Sequence, residues 1–95
     1  MSRIDDDGSF RIEAVWKELV EYWEGDHGYV FDAAWGVEPG DLYVPAPQDW
    51  DAVTPEWMNG RRDEIVARLI TRSHHNVVEL PPGGVELVEW RILTA

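Results

Sequence analysis

The sequence predicts an α+β domain in two layers, with two helices on one face of a four-stranded antiparallel sheet. A fifth strand is expected if the N-terminal residues join. Three observations predict this. Apolar residues recur at helical spacing in residues 12–24 and 61–72. Short aromatic and β-branched runs bounded by Gly and Pro lie between and after them, and these read as strands. The chain has 95 residues and is 44% hydrophobic, which is enough for one modest core and too apolar for a disordered chain. The expected order is helix, hairpin, helix, hairpin, in one domain.

Taken in order, "IDDDGSFRI" offers the optional strand. Ile12, Val15, Trp16, Leu19, Val20, Tyr22 and Trp23 fill an arc of roughly 160° at about 100° per residue. Glu13, Lys17, Glu18, Glu21 and Glu24 occupy the opposite arc. Ser9 as N-cap and Gly25 as stop bound this helix. "YVFDAAW", between Gly28 and Gly36, reads as a strand, and Pro39-Gly40 turns it into the returning strand "DLYV". "PAPQDWDAV" reads as a loop, because Pro45 and Pro47 cannot donate to a sheet ladder. Thr54-Pro55-Glu56 has the form of a helix start, which Asn59-Gly60 interrupts. In residues 61–72, Ile65, Val66, Leu69 and Ile70 share one face. "NVVEL" and "VELVEWRIL", joined by "PPGG", form the last hairpin, with Val88, Trp90 and Ile92 on one side. Trp16, Trp23, Trp35 and Trp90 are expected inside, and Trp50, flanked by aspartates in a Pro-rich segment, outside.

The net charge is −11, and it is uneven. Residues 1–56 hold fourteen acids against Arg3, Arg11 and Lys17, whereas residues 57–95 hold five acids against five arginines. A negative protein is repelled by nucleic acid and by anionic membrane, so neither is expected as a direct partner. A basic protein is the natural complement. An acidic, lysine-poor chain also matches adaptation to salt, but that would spread acid along the whole chain, and residues 57–95 are neutral. There are no cysteines, which excludes disulfides, thiolate zinc sites and a Cys nucleophile and fits a cytoplasmic protein. No run approaches the roughly 18 apolar residues of a membrane span. The start "MSRIDDDGSF" is acidic and unlike a signal peptide.

Motifs for catalysis and for metals are sparse. His27, His74 and His75 are metal-ligand types, but adjacent histidines in a strand point to opposite faces, and HExxH is absent. If the chain is a metal-dependent domain or small enzyme, these three carry it. Solvated turns are the simpler account of them. Asp5 to Ser9 does not make a calcium loop: with Gly8 as the loop glycine, Arg3 and Ala14 fall where carboxylates are needed. There is no G-x-S-x-G elbow, P-loop or G-x-G-x-x-G, and Ser73 beside His74 is not a triad. No cofactor is expected. Arg61, Arg68 and Arg72 share a narrow arc of the second helix. They have the chemistry to grip a phosphate or carboxylate, but pairing with the protein's own acids is the more ordinary use.

Residues 29–57 carry Trp35, Trp50 and Trp57, four of the six prolines and no Lys or Arg. Acids beside aromatics suit a cationic partner through ion pairs and cation–π contacts. The expected docking surface is therefore Asp41, Tyr43, Asp49, Trp50 and Asp51, with Glu18 and Glu21 steering encounter. The expected function is a small, non-catalytic, acidic protein that neutralises or regulates a basic partner, in the manner of an inhibitor, an immunity factor or a nucleic-acid mimic. A homodimer through the Trp-rich face is the alternative use of the same residues.

Overall fold

The computed structural model describes residues 3–6, 10–16, 18–34, 40–85 and 88–94. It is an α+β fold. Strands β1 (Arg3–Asp6), β2 (Arg11–Trp16), β3 (Leu19–Glu24) and β4 (His27–Asp32) come first. Then follow β5 (Asp41–Val44), α1 (Pro47–Val53), a 3-10 helix at Glu56–Met58, α2 (Arg62–Arg72) and β6 (Asn76–Glu79). A second 3-10 helix, Glu89–Arg91, leads into β7 (Ile92–Thr94). The sheet of β1-β2-β3-β4-β7 is antiparallel throughout. The expected N-terminal strand is present as β1.

The expected first helix is instead the β2–β3 hairpin. The physical reason is that both faces of β3 bury aromatic rings, which mimics the continuous apolar arc of a helix. Ile12, Tyr22, Tyr29 and Ile92 form one row across four strands, and Ala14, Val20 and Phe31 form the next. These rows face the core, except at the sheet edge, where Ile92 is exposed. Trp23 points to the opposite face and is buried there. Gly25 does not stop a helix. It begins the two-residue turn Gly25-Asp26 between the paired residues Glu24 and His27, with φ at 58°. Glycine at the first central position of such a turn provides that positive φ without strain.

Trp23 also explains Gly28. A Cβ at Gly28 would lie 2.7 Å from the indole of Trp23, which covers the glycine flat. Gly28→Ala is expected to cost about 1–3 kcal/mol by overpacking, read as a lowered midpoint in thermal unfolding. A stability equal to the parent's would mean that the ring moves aside freely.

The segment expected to be a loop is α1. Proline at its first turn needs no partner for a missing N–H, and Asp49 suits the positive end of the helix. The helix turns Trp50 and Val53 inward. Trp50 is therefore only 1% exposed, contrary to its expected exposure. Its indole N–H donates to the Met58 carbonyl at 2.7 Å, and its ring stacks on Phe31 at 6.1 Å. The predicted helix start at Thr54-Pro55-Glu56 is the short 3-10 helix. The Thr54 hydroxyl caps nothing ahead of it and donates back to the Trp50 carbonyl.

Helix α2 matches its expected span. Ile65 and Leu69 enter the core with Met58, Val66 packs against it, and Ile70, expected on the same face, is 60% exposed. From β5 the chain crosses through α1 and α2 to β6, which pairs with β5 in parallel. A parallel pair requires such a crossover. The expected last hairpin is thus absent as a pairing. Its turn is present, with Gly83 at φ 78° and the Gly84 N–H bonded to the Pro81 carbonyl at 2.9 Å. The strands on either side of that turn go to different sheets, β6 to β5 and β7 to β4. Trp90, expected inside, is 51% exposed. Trp35, the side chain of Trp16, the capping role of Ser9, the turn at Pro39 and the full Asp5-to-Ser9 loop lie outside the described residues. Among the described residues no helix is long and apolar enough to cross a membrane.

Candidate functional site

The expected docking residues separate into three places. Asp49, Trp50 and Asp51 sit together on α1. Asp49 accepts the Gly83 N–H at 2.8 Å, and Asp51 accepts the Gly60 N–H at 2.8 Å. The two aspartates thus fasten one loop on each side of the helix while Trp50 fills the core between them. Asp41 and Tyr43 are half-buried in β5, the strand that leads into α1. Glu18 and Glu21 belong to the meander. Glu18 is exposed, and Glu21 accepts the Trp23 indole N–H at 2.8 Å on the face turned away from the helices. Trp50 is consequently a core residue.

The structure gathers a different cluster at the end of the sheet where β3 turns into β4. There the start of α2 meets the turn. The Arg61 guanidinium forks onto both oxygens of Glu24 at 2.9 and 2.8 Å, and its other edge holds Glu64 at 2.9 Å. Arg68 reaches Glu24 at 3.0 Å and Glu64 at 2.8 Å. Its guanidinium also donates to the Tyr22 hydroxyl at 2.7 Å, and that hydroxyl donates in turn to Glu24. Arg61 and Arg68 of the shared arc therefore pair with the protein's own acids, and Arg72 lies 5.8 Å over the Phe10 ring. The shared partner Glu24 lies 37 residues from Arg61, a distance that no sequence spacing reveals.

Burial works against the charged form of Glu24. The hydrogen bonds from Arg61 and Tyr22 outweigh it, so its pKa lies below the usual carboxylate value. Burial, reinforced by the bond to Glu24, pushes the Tyr22 phenol well above its ordinary value. Both states belong to one network, in which an ionised carboxylate sits between two cations and one neutral phenol.

An aromatic run crosses this network. Phe10 stacks on Tyr22 at 5.9 Å, Tyr22 on Trp57 at 6.2 Å, and Trp57 on the exposed His27 at 5.7 Å. Arg68 lies 4.8 Å over the Phe10 ring, where a shallow cleft is lined by Phe10, Ala67, Arg68, Thr71 and Arg72. The Trp57–His27 stack ties the first 3-10 helix to the β3–β4 turn, so Glu56 and Asp26 flank it. Asp51, through Gly60, and Asp63 border the same end. Asp26, Asp51, Glu56 and Asp63 are exposed, and among the described residues none pairs with an arginine. The cations have turned inward: Arg62 pairs with Glu79 and Arg91 with Asp32.

The three histidines are not brought together as ligands. His27 stacks on Trp57. His74 takes a left-handed φ of 63°, and a ring nitrogen of His75 meets the Ser73 carbonyl at 2.8 Å. Among the described residues no group of three or more His, Cys, Asp or Glu is placed to hold a metal ion. The chain has an α+β fold with exposed acids near the end of the sheet where β3 turns into β4. No protein-family model, curated protein or solved structure matches the chain.

Proposed function

We propose that this chain is a small, non-catalytic, acidic protein that binds a basic protein partner in the cytoplasm and neutralises or regulates it. One observation carries the reading: Arg61, Arg62, Arg68 and Arg91 are engaged by the protein's own acids, while Asp26, Asp51, Glu56 and Asp63 face solvent at one end. Those acids steer a cationic surface toward the end of the sheet and fix its orientation. Trp57, half-buried and stacked with His27, takes the anchoring role expected of Trp50.

The test starts with a pull-down from the native lysate at low and at high salt. The dissociation constant of any retained basic protein is then measured by calorimetry. The double change Asp26→Asn, Glu56→Gln is expected to weaken binding about tenfold at low salt, about 0.5–1 kcal/mol per exposed charge, and to flatten its salt dependence. Retention of nothing at either salt, or a partner indifferent to both changes, would overturn the reading.

A further inference from the structure

The second sheet edge lies at β7, and it has the features of a place where another strand joins. Among the described residues β7 pairs on one side only, with β4, through Tyr29↔Ile92, Gly28↔Leu93 and His27↔Thr94. The backbone groups that point away from β4 therefore have no strand partner among the described residues. Such an edge is a template for pairing, and soluble proteins usually blunt it with charge, proline or a bulge. Ile92–Thr94 contains none of these, and its three residues leave a short edge. Ile92 is 41% exposed and Trp90, just before it, 51%. Arg91 between them is held against the sheet by the Val30 carbonyl and Asp32, with its guanidinium 5.0 Å over the Trp90 ring.

Charge selects the occupant. Asp26 stands beyond the Thr94 end, next to its partner His27, and Glu89 stands before the Ile92 end. Both acids are exposed. A second copy pairing antiparallel along β7 would set the Asp26 end of one chain beside the Glu89 end of the other, acid against acid. An extended segment that alternates apolar and basic residues meets the reverse: its main chain completes the ladder, its apolar side chains cover Trp90 and Ile92, and its cations face Asp26 and Glu89. We infer that β7 receives an extended strand of the basic partner, an assignment that rests on the reading of a basic partner above.

Two synthetic decapeptides of equal charge test it on the isotopically labelled full chain by NMR. One alternates Lys and Val; the other carries Pro at two of the Val positions, which forbids a strand ladder. The expected result is that the first peptide shifts and protects the amides of Ile92, Leu93 and Thr94 and binds at least tenfold tighter than the second. Equal binding by both, with shifts confined to the acids at Asp26, Asp51 and Glu56, overturns the β7 assignment and leaves the basic-partner reading standing. Binding by neither peptide at low salt removes the support for both. Shifts at residues 92–94 that grow with protein concentration, without peptide, assign the edge to a second copy and overturn the inference.

Discussion

Replacing Trp50 with Ala is expected to destabilise the protein by about 3–5 kcal/mol, the range for deleting a buried large aromatic. Small proteins hold roughly 5–15 kcal/mol in total, so the variant should lose a large fraction of its stability. The ring stacks on Phe31 and belongs to the same core cluster as Met58, Ile65 and Leu69. Trp50→Phe separates the contributions. It keeps most of the packing but leaves the Met58 carbonyl without its 2.7 Å donor. That carbonyl still accepts the Arg61 N–H at 3.2 Å, so the lost indole bond is expected to cost about 0.5–1.5 kcal/mol. Urea unfolding of both variants is the measurement. A loss under about 0.5 kcal/mol for Trp50→Ala, the usual size of a surface change, would contradict the buried placement.

The second large effect is at Glu24. Glu24→Gln keeps the shape but removes the charge shared by Arg61, Arg68 and Tyr22. Breaking a fully buried pair costs about 3–5 kcal/mol; these side chains retain some solvent contact, so about 2 kcal/mol is expected. The pH dependence follows from the direction of the shift. The folded-state pKa of Glu24 is lowered from 4.5, so its stabilisation is complete above about that pH and is lost as pH falls through the lowered value. Glu24→Gln should therefore flatten the acid limb of a stability-versus-pH curve. The alkaline limb has the opposite origin. Burial raises Tyr22 and Tyr29 above 10.0, so their contribution is present below pH 10 and disappears as pH rises through the folded values. Identical acid limbs for parent and Glu24→Gln would show that the carboxylate carries no such linkage.

The antiparallel sheet with helices was legible because strand and helix periodicities are both present. The identity of each element was less so. Residues 12–24 satisfy spacings of three and four, yet their richness in Val, Ile, Tyr and Trp favours a pleated surface. Gly25-Asp26 between two apolar runs is also a hairpin signal. Those two cues outrank the arc, because Trp23 and Tyr22 serve opposite faces of one strand. In α1 the decisive cue was Pro47 at a helix start, which outweighs its inability to join a sheet. Asp49 and Asp51 suggested exposure for the residue between them. On a helix they project to either side of it instead, and that geometry sends Trp50 inward. The pairing of Arg61 and Arg68 with internal acids was readable in kind, from their shared arc. The choice of Glu24 was not, since it depends on β3 lying beneath α2. Nor does local pattern carry the pairing of β7 with β4, because only the assembled sheet brings Arg91 to Val30.

That last contact spans 61 positions along the chain. Strands β2, β3 and β4 follow directly on one another and can zip from their turns, with little loop entropy lost at each step. The β7 ladder and the parallel β5–β6 pair have no such shortcut. They need the meander as a ready-made template and the crossover helices already in place. Loop-closure entropy therefore favours forming the local hairpins before the long-range pairings, which are expected to be the slower step. Until that step ends, the side of β4 that will hold β7 stays open. A newly made chain is consequently most exposed to misassociation along the same seam that the finished protein completes last.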